Sequence, residues 1–143
     1  MITKLNVTSV WVLDKDEALD FYVNKLGLEK GQDFTQGAYR WLTVRVPGDP
    51  GIEISLEQPG PPVQDEATAA QLRELITKGA MGGVVFLTDD VRGLYETLKA
   101  RGVTDFTQEP TDHAYGTDMG VRDPFGNAIR ILKPKKVADW AKA

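Results

Sequence analysis

One order of landmarks occurs twice along this chain, and that repeat constrains the fold more than any other feature of the sequence. Val7 to Val12 is rich in β-branched residues and reads as a strand ending at Asp14. Ala18, Leu19, Tyr22, Val23 and Leu26 then recur at helical spacing, with Asp14 or Asp16 as N-cap and Gly27 where a left-handed residue closes a helix. Arg40 to Val46 and Ile52 to Glu57 alternate as strands around the turn Pro47-Gly48-Asp49-Pro50-Gly51. Downstream, Gly83 to Thr88 reads as a strand ending at Asp89-Asp90. Val91, Leu94, Tyr95 and Leu98 form a helical stripe closed by Gly102, and Asp118 to Arg122 and Ala128 to Leu132 flank the turn Asp123-Pro124-Phe125-Gly126-Asn127. Asp14 precedes Glu53 by 39 residues and Asp90 precedes Arg130 by 40. The expectation is an α+β protein of paired βαβββ modules, the third element of each weakly marked.

Module one spans 4–58 and module two 81–134, within a single domain. Pro59-Gly60-Pro61-Pro62 opens a connecting segment, 59–80, in which Ala69, Leu72, Leu75 and Ile76 share one side of a helix over Asp65 to Lys78. The tail 135–143 reads either as a short helix anchored by Trp140 or as a frayed terminus.

Composition removes whole classes of chemistry. Without cysteine there are no disulfides, thiolate metal sites or cysteine nucleophiles, and the one histidine, His113, is a poor basis for a zinc or iron site. Seventeen basic against 21 acidic side chains, dispersed except at Lys133, Lys135 and Lys136, disfavour nucleic acid. No apolar run is long enough to span a bilayer and no signal peptide is read, so the expected location is the cytoplasm, with Asn6-Val7-Thr8 an unused sequon. Gly79-Ala80-Met81-Gly82-Gly83 lacks the Lys-Ser/Thr ending of a phosphate loop, and no Ser-His-Asp order or acid pair specifies a hydrolase.

Asp16-Glu17-Ala18-Leu19-Asp20-Phe21-Tyr22 leading to Lys25-Leu26-Gly27, together with Arg122-Asp123-Pro124-Phe125-Gly126-Asn127, resembles the vicinal oxygen chelate superfamily, also called glyoxalase/bleomycin resistance/dioxygenase, over Val7 to Pro134. The resemblance implies curved sheets around a cavity, commonly completed by a second subunit, and hence a homodimer. In metal-bearing members, ligands stand at the starts of the two first strands and in the two last strands. The matching positions here are Val7, Gly83, Glu53 and Arg130: two residues without ligand atoms, one carboxylate and one permanent cation. No metal or other cofactor is expected, and glyoxalase or dioxygenase chemistry is disfavoured.

Strand alternation sends Val10, Val12, Ile52, Ile54, Val84, Phe86, Ile129 and Ile131 toward the helices. The other face then carries Val7, Ser9, Trp11, Trp41, Thr43, Arg45, Glu53, Ser55, Gly83, Val85, Arg130 and Leu132. Two indoles among sparse polar groups suit an aromatic ligand, unless Trp11 and Trp41 pack in a dimer core. Glu53 and Arg130 either pair or grip the ligand separately. Gly83 would enlarge the cavity. His113, in a turn-rich segment before a strand, is a ligand contact, a base or a solvated loop residue, and Tyr115 is the better stacking candidate. The expected function is non-catalytic binding, in the bleomycin-resistance branch, of an antibiotic-like natural product. The rivals are a glyoxalase/dioxygenase-like lyase or isomerase, an enzyme using Glu53 or His113 as base, and a metabolite-sensing accessory protein.

Overall fold

The computed structural model describes residues 1–136. The chain divides into two units, Met1–Gly82 with Pro124–Asn127, and Gly83–Asp123 with the chain from Ala128 onward. The conserved order of landmarks is realised as one four-stranded mixed sheet in each, giving an α+β fold with open sheets.

In the first unit the sheet order is β1(Val7–Trp11), β4(Glu53–Glu57), β3(Tyr39–Arg45), β2(Glu29–Gln36). β1 runs parallel to β4 with Val7 opposite Glu53 and Ser9 opposite Ser55. Asp14 accepts from the Glu17 amide and caps α1(Lys15–Leu19), satisfying a donor that the helix cannot. The single helix expected as far as Leu26 instead widens into a π-helical turn over Asp20–Lys25, and Gly27, at φ 93°, closes it as its position implies. Val10, Val12, Leu42, Val44 and Leu56 are fully buried with Ala18 and Tyr22, as alternation expects, but Thr43 and Ser55 of the opposite face are buried as well, and Val46, expected inside, is 37% exposed. The connecting helix α2(Glu66–Thr77), capped by Asp65, buries Ala69 and Ile76, whereas Leu75, expected on that side, is 43% exposed. Pro124–Asn127 belongs to this unit: Asn127 is buried and its Nδ2 donates to the Trp11 carbonyl at 2.7 Å.

In the second unit the order is β5(Val84–Leu87), β8(Ala128–Pro134), β7(Gly116–Arg122), β6(Phe106–His113), with α3(Val91–Ala100) capped by Asp90. Met119, Val121, Ile129, Ile131 and Leu98 form its buried core. Two strands, β2 and β6, were hidden in the sequence, and both are edge strands broken by bulges: the ladder shifts between Lys30 and Asp33, and twice between Phe106 and Thr111. A bulge adds a residue and destroys the period of two, and Pro110 is tolerated because an edge strand can spare a donor. His113 therefore ends a strand and is not a loop residue. Residues 137–143 lie outside the described residues, and with them the helix expected around Trp140.

Candidate functional site

The face of each sheet opposite the helices carries the candidate residues, and its chemistry differs between the units. In the first, Thr43 and Ser55 are Cα partners, and Ser9 and Ser55 hydroxyls meet at 2.8 Å. Glu53 is only 9% exposed. Gln32 Nε2 donates to its Oε2 at 2.8 Å, and Arg45 Nη1 lies 3.8 Å from its Oε1 while the Arg45 Nε donates to Glu29 at 2.7 Å. Thr43 Oγ1 accepts from the Gln32 amide at 2.8 Å. Gly31 makes this possible: a Cβ there would stand 2.3 Å from Glu53 Oε1 and 2.5 Å from Thr43 Oγ1. Trp11 and Trp41, both half-buried, share this face by register, with Phe34 paired to Trp41 and 53% exposed.

In the second unit the centre is Asp118, 4% exposed. Its Oδ2 accepts from Arg130 Nη2 at 2.6 Å and the Tyr115 hydroxyl at 2.8 Å, and its Oδ1 accepts from Gln108 Nε2 and His113 Nε2, each at 2.9 Å. Burial acts to raise the Asp118 pKa, but bonds from Arg130 and Tyr115 outweigh it and hold the carboxyl below its ordinary value. The Tyr115 hydroxyl is pushed up, by its bond to that carboxylate first and by desolvation second. Accepting from Nε2–H also selects one tautomer of a neutral His113. The imidazole stacks on the Tyr115 ring, centroids 4.8 Å apart and planes within 10°. Arg130 spends Nη2 on Asp118 and on Gln108 Oε1 (3.0 Å), and lies across Gly120, where a Cβ would come within 2.6 Å of its Nη1.

The sequence-based candidates thus fall into two clusters: Val7, Ser9, Thr43, Glu53 and Ser55 with the two indoles in one unit, and His113, Tyr115 and Arg130 in the other. Glu53 and Arg130 each have a partner inside their own unit, Gln32 for Glu53 and Asp118 for Arg130. Two expectations change. Gly83 does not match Val7: the residue opposite Arg130 is Val85, because five residues separate it from the cap Asp90 whereas seven separate Val7 from Asp14. Nor does Gly83 leave free space, since a Cβ there would lie 1.5 Å from the Ala128 carbonyl oxygen; it is needed for close backbone approach. Asp118, Gln108, Gly31 and Gln32 were missed. Alternation of β7 about the buried Met119 and Val121 could have found Asp118, whereas the other three lie in the bulged edge strands.

A family model for the Glyoxalase/Bleomycin resistance protein/Dioxygenase superfamily matches residues 4–131. The chain belongs to this superfamily. YurT of Bacillus subtilis (strain 168), an uncharacterized protein, is similar to this chain, 37% identical over 131 residues, 91% of this chain and 98% of YurT. The crystal structure of UcmS2 is 42% identical with TM-score 0.86, covering 92% of this chain and 98% of that one. TnmS3, an antibiotic binding protein from Streptomyces sp. CB03234, is 28% identical with TM-score 0.74, covering 94% and 98%.

The metal that some members of the superfamily carry does not fit the residues found here. In the first unit Val7 offers no ligand atom and Glu53 is held by Gln32 with Arg45 beside it; in the second Val85 offers none and the Arg130 guanidinium beside it would repel a cation. Among the described residues no three His, Asp or Glu side chains gather as a metal site would require.

Proposed function

We propose that this protein binds an aromatic, antibiotic-like small molecule without a metal and without changing it chemically, and so acts in drug sequestration. The observation that carries the reading is the substitution of the former ligand positions: two aliphatic residues, a carboxylate already hydrogen-bonded, and an arginine bonded to the buried Asp118. What surrounds them suits recognition: Trp11, Trp41 and Phe34 on one face, the His113–Tyr115 stack on another. Because Asp118 and Arg130 offset each other's charge, the second cluster favours a ligand that gives and takes hydrogen bonds over a strongly anionic one. The likeness to TnmS3 supports the antibiotic class. A homodimer belongs to this reading: Val85 and Leu87, 62% and 70% exposed on β5, are apolar surface that a second chain or the ligand would cover.

Tryptophan fluorescence tests it. A panel of aromatic antibiotics, titrated into the protein, should quench emission saturably, and Trp11→Ala or Trp41→Ala should weaken affinity by about 1–3 kcal/mol. Unchanged affinity in both variants would refute the assignment of these faces.

A further inference from the structure

The first unit holds a cleft of about 310 Å³ at the start of α1, where Lys15, Tyr39 and Arg40 meet the polar Asp16 and Gln58 and the apolar Val63. Lys15 is only 9% exposed, rare for a lysine without an ion pair. Its ammonium donates to the Arg40 carbonyl oxygen and lies 4.7 Å from the centroid of the Tyr39 ring. The carboxylates that would ordinarily neutralise it are engaged elsewhere: Glu57 accepts the Tyr39 hydroxyl at 2.8 Å, while Asp33 and Asp16 hold Arg40 at 2.9 and 2.7 Å. Lys15 and its two partners, Tyr39 and Arg40, all line the cleft.

We propose that Lys15 is a covalent capture site for a small aldehyde that enters this cleft. The step balances without any further reagent. The ammonium and the aldehyde give a protonated imine and water: the new bond joins Nζ to the carbonyl carbon, the C=O bond breaks, and the oxygen leaves with two of the three ammonium protons. One proton and the positive charge stay on nitrogen, so the Arg40 carbonyl and the Tyr39 ring that hold the ammonium hold the product as well. Pro59, Pro61 and Val63 offer part of the aldehyde an apolar surface, and Gln58 offers a polar one. Desolvation, the largest influence, moves the Lys15 pKa below its ordinary value against the opposing pull of Glu57, which increases the fraction of nucleophilic amine.

The test is reductive trapping. The folded wild-type protein is treated with benzaldehyde and sodium cyanoborohydride at neutral pH, and the benzyl adduct is quantified at every lysine by peptide mass spectrometry. Lys15 should label several-fold faster than the exposed Lys78 and Lys99, the preference should vanish in urea, and Tyr39→Leu should reduce it while Tyr39→Phe, which keeps the ring, retains it. Labelling at Lys15 no faster than at Lys78 and Lys99, or a preference that survives in urea, would overturn the proposal. Neither outcome bears on antibiotic binding at the sheet faces.

Discussion

Replacing Asp118 by alanine removes the acceptor of four donors at once, and the structure sets the size of the effect. The carboxylate is buried, but two of its neighbours are not fully so: the side chains of Arg130 and His113 are 35% and 32% exposed. Breaking a wholly buried ion pair costs about 3–5 kcal/mol. Water can reach the freed guanidinium and imidazole here, so the expected loss is smaller, about 2–3 kcal/mol, most of it the charge-assisted bond to Arg130. Asp118→Asn should cost less, because its oxygen can still face Arg130 and Tyr115 while its amide meets His113 as an alternative tautomer. Urea unfolding followed by circular dichroism measures both variants. The pH dependence adds a second signature. Since the Asp118 pKa is lower folded than its unfolded value near 3.8, its contribution is full above that value and is lost as pH falls through the native pKa. Wild type should therefore lose stability below about pH 4 more steeply than Asp118→Asn. A variant within about 0.5 kcal/mol of wild type, with an unchanged acid slope, would refute the view that this carboxylate organises the cluster.

Gly83→Ala should destabilise by at least about 2 kcal/mol, seen as a lowered Tm, because the added methyl meets the Ala128 carbonyl rather than a movable side chain; normal stability would restore Gly83 as a spacious cavity position. Elemental analysis of purified protein should find no stoichiometric zinc, iron, nickel or manganese, and one tightly held ion per chain would contradict the assignment of Val7, Val85 and Arg130. Light scattering at micromolar concentration should give a homodimer, and a monomer that still binds ligand would remove the second chain from the account.

The repeat, the capping aspartates, Gly27 and the core alternation were legible because each depends on neighbours a few residues apart. Val10, Val12, Ile129 and Ile131 could be placed inward without knowing what they pack on, since a strand has only two faces. β2 and β6 were not legible: their bulges break the alternation, and Gln32 and Gln108, which set the partners of Glu53 and Arg130, lie in them. The loop before the second helix is two residues shorter than its counterpart, a difference that counting back from Asp90 turns into a wrong strand position. Pair choice between distant strands is a tertiary property, so the sequence could name Glu53 and Arg130 as candidates but not their partners.

The most direct test of the central claim is to incubate an antibiotic that binds saturably with the protein at a large molar excess of compound, then recover all of it for mass spectrometry. Sequestration predicts unaltered compound, with the bound fraction levelling off at one equivalent per site. Recovery of a transformed product at many equivalents per protein would contradict it and establish an enzyme.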